Sequence, residues 1–329
     1  MMEPVICVKG LNKTFRSKAK APGLAGALKG IFSFKTNEVL AVKDVSFSIA
    51  EGELVGFIGP NGAGKSTTIK MLTGILHPSS GEISVLGFHP QNERVKLAYK
   101  IGTIFGQRQQ LWYHLPAIDS FNLFSKIYEL DQTEYKQRLD ELVGLFEIGP
   151  YLHTPVRKLS LGQRMRCEFV ASLLHKPKVL FLDEPTIGLD IVAKRTMREL
   201  IRTLNKKEKV TIILTSHDLD DIEELCERVI IINDGRILFD GPMETIKKRL
   251  KYKMVRLLFE KPPEKIPVLK HVKILKREPS RIDLKVDRTK TSVRVVLDAY
   301  LKACKVSDLE VEEAPIEEVV EQFYKKTTK

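Results

Sequence analysis

The sequence contains no apolar run that approaches the roughly 18 residues needed to span a bilayer. Residues 1–5 also lack a basic region followed by a long apolar core, so we expect no signal peptide. With 43% hydrophobic and 29% charged residues, the composition is that of a globular protein rather than a disordered one. The length of 329 residues predicts about two domains. These features argue against a membrane-spanning helix within this chain.

Cysteine and histidine are scarce, and neither is grouped. The cysteines contain no C-x-x-C pair and are widely separated: Cys7, Cys167, Cys226 and Cys304. The seven histidines likewise show no metal-ligand spacing. We therefore expect reduced thiols, a cytoplasmic protein and no structural metal.

The formal net charge of +12 is distributed unevenly. Residues 247–305 contain 19 Lys or Arg and 6 Asp or Glu, whereas residues 306–324 contain 7 acidic residues and no basic ones. A basic stretch could contact nucleic acid, anionic lipid or an acidic partner. The simpler explanation is a solvated surface, because most charged side chains are exposed.

The strongest positive feature is a phosphate-binding loop. The pattern G-x-x-x-x-G-K-[S/T] is matched at every fixed position by Gly59, Pro60, Asn61, Gly62, Ala63, Gly64, Lys65, Ser66 and Thr67. A short apolar segment, residues 54–58, precedes it as a predicted strand, and residues 67–72 follow as a predicted helix. Backbone N–H groups in such a turn face one point, where the helix dipole favours negative charge. Lys65 would contact the β- and γ-phosphates and Ser66 would bind Mg²⁺. The alternative, a chance glycine-rich turn, does not explain the flanking segments.

Two adjacent carboxylates follow another predicted strand. Residues 179–182 are continuously apolar and lead directly to Asp183 and Glu184. In nucleotide hydrolysis the first acid holds Mg²⁺ and the second orients and deprotonates the attacking water. Together with the loop, this pair predicts hydrolysis of a nucleoside triphosphate.

Apolar segments and helical patterns alternate along most of the chain. Residues 179–182 and 210–214 have the character of buried strands, and residues 192–204 between them have the periodicity of an amphipathic helix. Strand, helix and strand in this order predict an α/β fold with a parallel sheet. Strands are also expected over 5–8, 39–49, 83–87 and 101–105, a turn over 79–82, and helical structure over 117–145.

Near residue 250 the pattern changes. Residues 282–286 alternate as a half-buried strand and turn back to 272–276 as a hairpin, and helical patterns follow over 293–304 and 316–324. We expect domain 1–246 to be followed by a small α+β module, 247–329.

The order of the motifs identifies a family. A serine-glycine segment lies at a predicted helix start: Leu159, Ser160, Leu161, Gly162 and Gln163. Asp183 comes 20 residues after Gln163. Two further segments follow, 188–190 (Gly-Leu-Asp) and 215–218 (Thr-Ser-His-Asp). Over about residues 5–246 the sequence resembles the nucleotide-binding subunits of ATP-binding cassette (ABC) transporters. The resemblance implies a RecA-like P-loop NTPase core, an antiparallel β subdomain and a helical subdomain over about 108–165.

The resemblance also implies roles for individual residues. Gln107 matches a glutamine that touches Mg²⁺ and senses the γ-phosphate, and His217 matches a histidine that contacts the same phosphate. Phe15 matches an aromatic residue that stacks on adenine, although it could also belong to the core.

The segment 159–163 matches the family signature, which binds ATP held by the opposite subunit. Its matching residues are Ser160, Gly162 and Gln163, whereas Leu161 departs from the usual glycine. Asp190 is placed at the same nucleotide site.

Because the loop and the signature each occur once, two cassettes are needed for a complete site. A homodimer with two ATP and Mg²⁺ sites is sufficient, and pairing with a paralogous cassette remains open.

The sequence also resembles one branch of the family, the ATPases that partner ABC-2 type permeases, including drug and sodium exporters. Four segments carry this resemblance: the basic insertion at about 16–37, residues 106–108, the run 183–190 and the acid-rich 310–324. The resemblance implies an exporter subunit, peripheral on the inner face of the cell membrane.

Three alternatives stay open from the sequence. The basic insertion carries an amphipathic pattern that could lie on a membrane or a partner, or form a surface insertion. Trp112 and Tyr113 could contact permease helices or pack inside the helical subdomain. The cassette could instead serve a soluble or nucleic-acid-associated machine. No nucleic acid is expected, because no coiled-coil insertion, zinc module or second cassette is present.

Overall fold

The computed structural model describes residues 4–18, 36–106, 109–216, 218–263, 265–313 and 315–326. The predicted amphipathic pattern within the basic insertion, Gln107 and His217 lie outside these ranges. The chain divides into two compact units, Met1–Gly241 and Pro242–Lys329, which are described separately. The sequence predicts a domain boundary after residue 246, and the first unit ends at Gly241.

Nine strands begin in the described part of the first unit. They are β1 (Ile6–Lys18), β2 (Thr36–Ile49), β3 (Leu54–Ile58), β4 (Ser80–Val85), β5 (Ile101–Phe105), β6 (Val179–Asp183), β7 (Thr211–Thr215), β8 (Arg228–Asn233) and β9 (Arg236–Pro242). Its helices are α1 (Lys65–Leu72), α2 (Arg94–Ala98), α3 (Ala117–Ile127), α4 (Gln132–Leu145), α5 (Leu161–Leu173), α6 (Ile191–Glu208) and α7 (Leu219–Leu225).

The larger sheet has six strands in the order β5-β6-β7-β3-β8-β9. The pairs β5/β6, β6/β7, β7/β3 and β3/β8 are parallel. Every residue of β3 and β7 is buried, which explains their uninterrupted apolar character. The predicted parallel α/β sheet is therefore confirmed. Parallel strands end at the same edge of a sheet. The phosphate loop after β3, Asp183 at the end of β6 and Thr215 at the end of β7 therefore all lie at that edge.

A three-stranded antiparallel sheet, β2-β1-β4, forms the second layer. The predicted turn over residues 79–82 is wrong, because β4 already begins at Ser80. Gly81 has a φ of +95°, and a Cβ atom there would lie 2.4 Å from the Gly10 carbonyl oxygen. Glycine thus allows β4 to pass close to β1, where the sequence pattern alone suggested a reversal.

Helices α3, α4 and α5 form the helical region. The predicted helical structure over 117–145 is interrupted between α3 and α4. Glu129 has a φ of +52°, and the Asp131 side chain accepts hydrogen bonds from the N–H groups of Thr133 and Glu134. This cap begins a new helix, so one predicted helical stretch is two helices.

The second unit contains a four-stranded antiparallel sheet in the order β11-β12-β10-β13. Its elements are α8 (Met243–Lys248), β10 (Tyr252–Phe259), β11 (Val272–Glu278), β12 (Arg281–Asp287), α9 (Val293–Ala303), β13 (Val306–Glu313) and α10 (Glu317–Lys326). The predicted hairpin is confirmed as β11 and β12. The sheet and α9 enclose a core that includes Leu257, Leu284, Val296 and Tyr300. None of the described helices in either unit is both long and apolar enough to cross a membrane.

Candidate functional site

The phosphate loop fits tightly between neighbouring strands. A Cβ atom at Gly59 would lie 2.2 Å from the Ile232 carbonyl oxygen, and one at Gly64 would lie 2.6 Å from the Ala41 carbonyl oxygen. Gly64 also has a φ of +106°, a backbone conformation that favours glycine. These glycines therefore fix the path of the loop between β2 and β8, immediately before α1.

Lys65 is the first residue of α1 and is only 6% exposed. Its Nζ atom donates hydrogen bonds to the carbonyl oxygens of Gly59 at 2.6 Å and Pro60 at 3.2 Å. Burial lowers the pKa of Lys65, while the negative charges of Glu184 and Asp183 act in the opposite direction. The ammonium group is thus held within the loop, in the field of both acids.

Asp183 joins three elements at the carboxyl edge of the sheet. Its Oδ1 atom accepts hydrogen bonds from Ser66 Oγ at 3.3 Å and Thr215 Oγ1 at 2.5 Å. Hydroxyl and carboxylate oxygens are the ligands that Mg²⁺ prefers. No cluster of three or more His, Cys, Asp or Glu within the described ranges could hold a metal. The Ser66 hydroxyl and the Asp183 carboxylate fit an ion such as Mg²⁺, which keeps few protein ligands and takes the rest from phosphates and water.

The backbone at Glu184 is constrained from two sides. Glu184 has a φ of +57°, which is strained for a residue other than glycine. Its N–H group donates to the Thr215 carbonyl oxygen at 3.0 Å and to Thr215 Oγ1 at 3.2 Å. On the other side, a Cβ atom at Gly106 would lie 2.2 Å from the Glu184 carbonyl oxygen. These contacts hold the backbone of Glu184 in place directly after Asp183.

The signature segment begins α5. Ser160 Oγ accepts a hydrogen bond from the Gln163 N–H group at 3.2 Å, and Gln163 Oε1 accepts one from the Ser160 N–H group at 2.9 Å. This reciprocal capping box orients both side chains at the helix N-terminus. Leu161 stands where the resemblance expects glycine, and its side chain lies close to Gly188. A Cβ atom at Gly188 would be 3.1 Å from Leu161 Cδ2.

Asp190 begins the next helix of the site, α6. Its Oδ1 atom accepts a hydrogen bond from the Ala193 N–H group at 2.8 Å. Within a single chain, the Asp190 side chain therefore caps the N-terminus of α6. A Cβ atom at Gly162 would lie 3.3 Å from Ala193 Cβ, so the start of α5 approaches the start of α6.

The predicted aromatic residues are exposed. The Phe15 side chain lies in β1 with 40% of its surface accessible, and Lys13 Nζ is 5.4 Å from its ring centroid. Exposure to this degree argues against the core alternative for Phe15. Trp112 and Tyr113 are 47% and 48% exposed. Packing inside the helical subdomain therefore does not describe these two residues.

Two residues to which the sequence reasoning gave no role prove to be part of this arrangement. Thr215 bonds both Asp183 and Glu184, and its sequence signal was its place directly after the buried strand 210–214, in the 215–218 segment. Asp221 is 1% exposed and accepts hydrogen bonds from Thr186 Oγ1 and, at 2.6 Å, Arg198 Nε. Asp221 thereby ties the segment after Glu184 to helices α6 and α7.

Comparison with known proteins agrees with this geometry. Residues 42–187 match the ABC transporter family model. The ABC transporter ATP-binding protein NatA of Bacillus subtilis is 36% identical over 215 residues, which cover 65% of this chain and 87% of that protein. The bacitracin transport ATP-binding protein BcrA of Bacillus licheniformis is 36% identical over 209 residues, which cover 64% of this chain and 67% of that protein.

Solved structures agree as well. The cbiO1 protein of Clostridium perfringens, part of an ABC transporter complex, aligns with a TM-score of 0.61 and 27% identity over 75% of this chain and 91% of that chain. A dimeric post-hydrolysis ATP-binding cassette bound to ADP and phosphate aligns with a TM-score of 0.60 and 25% identity over 72% and 98%. The resemblance predicted from the motifs is confirmed. The chain therefore belongs to the ABC transporter family.

Proposed function

We propose that two copies of this chain close around ATP and transmit that closure to a separate membrane permease. The chain is the ATP-hydrolysing subunit of an ABC transporter. A dimeric relative bound to ADP and phosphate supports both the pairing of cassettes and the hydrolysis. A homodimer is sufficient, because Lys65, Glu184 and Ser160 are all present in one chain.

One observation carries this function: the hydrogen-bonded series Ser66–Asp183–Thr215 lies beside the buried Lys65. It brings a hydroxyl, a carboxylate and an ammonium group to the edge of a parallel sheet, next to a helix N-terminus. Positioning and charge stabilisation of this kind are what phosphoryl transfer requires.

On the loop side, the backbone N–H groups of residues 59 and 61–67 bind the phosphates, and Lys65 contacts the β- and γ-phosphates. Ser66 and Asp183 would hold Mg²⁺, with Gln107 as a further ligand. When bound, Mg²⁺ neutralises charge on the phosphate oxygens. Glu184 accepts a proton from the attacking water and passes it to solvent. Phe15 stacks on adenine, which its exposed ring supports.

On the opposite side, Ser160, Gly162 and Gln163 of one copy contact the γ-phosphate of the ATP that the other copy holds. Their N-terminal position on α5 supports this role, because helix N-termini favour anions. Asp190 lies near the same nucleotide. On the loop side, His217 contacts the γ-phosphate that Gln107 senses. Each ATP therefore joins two chains.

The permease partner is an ABC-2 type exporter, and the subunit acts at the inner face of the cell membrane. Relatives named for bacitracin transport and linearmycin resistance support the direction. Trp112 and Tyr113 form the permease contact, since exposed aromatic residues are favoured interface anchors. The first unit carries the ATPase, and the second is an accessory module.

Affinity purification from detergent-solubilised membranes tests the partner. The wild-type chain should recover a multi-span membrane protein, and the double variant Trp112→Ala/Tyr113→Ala should recover far less. Ile127→Ala is the matched control, because Ile127 is 52% exposed on α3 of the same helical region. Equal recovery by the double variant would move the contact elsewhere, and recovery of nucleic acid instead would favour the soluble machine.

A further inference from the structure

Glu168 is a buried acid in the middle of α5. Only 4% of the surface of Glu168 is exposed. Within the described ranges it forms no ion pair, although the charge of Arg164 favours its ionised form. Burial raises the pKa of Glu168 to about 7, and the backbone N–H groups that it binds act in the opposite direction. Burying a carboxyl group is costly, so simple packing does not account for it.

The partners of this carboxylate are backbone groups of the segment after β5. Both Glu168 oxygens accept a hydrogen bond from the Gln110 N–H group, at 3.1 and 3.2 Å. Oε1 also accepts one from the Leu111 N–H group at 3.4 Å. An apolar residue at 168 would fill the same space but leave these N–H groups without their acceptor.

The same segment is fixed at further points. Gln110 Nε2 donates to the Thr103 carbonyl oxygen at 2.5 Å, and the Trp112 N–H group donates to Ser120 Oγ at 3.0 Å. Upstream, the Gly106 N–H group donates to the Asp183 carbonyl oxygen at 2.8 Å. Only three residues separate Gly106, held beside Asp183, from Gln110, held by Glu168. Glu168 thus sets the far end of a short connection that begins at the site.

We propose that Glu168 is a positioning residue for ATP hydrolysis, whose carboxylate fastens Gln110 and Leu111 to the signature helix. The proposal rests on the proposed function. Helix α5 begins beside Ser160 and carries Glu168 on the same rigid element. The fastening therefore makes the exposed Trp112 and the signature move together.

Hydrogen exchange and fluorescence measure the fastening in the full chain. In Glu168→Ala, the amide protons of Gln110 and Leu111 should exchange about tenfold faster or more, because their acceptor is gone. Trp112 is the single tryptophan, so its quenching by acrylamide should rise in the same variant. Glu168→Gln keeps the shape but only one acceptor oxygen. Its amide exchange and its quenching should therefore lie between those of the wild type and those of Glu168→Ala.

Val170→Ala is the control, because Val170 is fully buried on the same helix and its truncation also leaves a cavity. It should leave exchange at Gln110 and Leu111 at the wild-type rate. If Glu168→Ala and Val170→Ala behave alike in exchange and quenching, the fastening is overturned. If Glu168→Ala does not fold, Glu168→Gln decides by the same comparison.

Kinetics then test the functional part. Glu168→Ala should lower kcat for ATP by about tenfold while KM stays within about twofold, because the loop at Lys65 is unchanged. Val170→Ala should keep both constants. Faster exchange with unchanged kcat would overturn the positioning role. If the wild-type chain hydrolyses no ATP, the proposed function itself fails, whereas the exchange result stands separately.

Discussion

The polar side chains at the candidate site of the first unit are held differently from those on the sheet of the second unit. In the first unit, Ser66 and Thr215 both bond the carboxylate of Asp183 at the edge where parallel strands end. In the second unit, charges pair with each other, either across neighbouring strands, as Arg256 of β10 does with Glu310 of β13, or along one strand, as Arg281 does with Asp283 at 2.7 Å. The first arrangement holds groups ready for a ligand, whereas the second neutralises them.

This difference places the chemistry in the first unit. The polar groups of its candidate site are buried or half-buried, and several, such as Lys65 and the Glu184 N–H group, are held by backbone contacts rather than by opposite charges. Exposed ion pairs such as Arg256–Glu310 in the second unit stabilise a fold only slightly. Substitutions at the candidate site of the first unit should therefore lower hydrolysis or ATP binding strongly, and those in the second unit should change stability alone.

The largest expected effect is at Glu184. Glu184→Gln should keep ATP binding and lower turnover by about 10²–10⁴-fold, because the amide cannot accept the proton of the attacking water. Phosphate release measured at saturating ATP gives the turnover. Glu199→Gln, an exposed glutamate on α6, is the control and should retain wild-type turnover. Wild-type turnover in Glu184→Gln would remove Glu184 as the base.

Lys65→Ala should weaken ATP binding by roughly a hundredfold, because charge-assisted hydrogen bonds to phosphate are lost. Calorimetric titration with ATP and Mg²⁺ measures this affinity. Lys70→Ala, on the same helix, should bind ATP as the wild type does. Retained affinity in Lys65→Ala would contradict the role of the loop.

Thr215→Val should lower turnover by about tenfold, because a hydrogen bond to a charged group contributes about 1.5–3 kcal/mol. Valine keeps the shape of this fully buried side chain, and the Glu184 N–H group keeps its bond to the Thr215 carbonyl oxygen. Thr211→Val is a matched control at the opposite end of β7, where the lost bond is to Gly52. Equal turnover in the two variants would show that orientation of Asp183 is unimportant.

The smallest effect on hydrolysis is expected in the second unit. Tyr300 is 1% exposed, and its hydroxyl donates to the Pro267 carbonyl oxygen at 3.0 Å. Tyr300→Phe should lower the free energy of unfolding of this unit by about 0.5–1.5 kcal/mol and leave turnover unchanged. Chemical denaturation and phosphate release measure the two quantities. If fully folded Tyr300→Phe shows lower turnover than the wild type, the second unit also contributes to hydrolysis and the contrast between the units is contradicted.

The sequence predicted those parts of the fold that have local signals. The strands β3, β5, β6 and β7 are short apolar runs, and the loop before Lys65 has a fixed pattern. Strands β10 and β13 were not predicted, because β10 has a broken alternation and β13 lies in an acid-rich stretch with few apolar residues. Their pairing with each other depends on contacts between distant residues, which local patterns do not show.

The site shows the same limit. Asp183, Glu184 and the loop were predicted because their spacing is characteristic. The roles of Thr215 and Glu168 depend on what they contact in the folded chain. Thr215 bonds Asp183 and Glu168 bonds Gln110, and neither partner is close in sequence. The one sequence signal for Glu168 was an acid beside the apolar Phe169 and Val170.

The most direct test of the account is the oligomeric state of Glu184→Gln with ATP and Mg²⁺, measured by light scattering. ATP held between Lys65 of one copy and Ser160 of another predicts twice the mass of one chain with ATP, and the mass of one chain without it. Ser160→Arg in the same background should stay at the mass of one chain while still binding ATP. If Glu184→Gln binds ATP and remains a single chain, the claim that ATP joins two copies is contradicted.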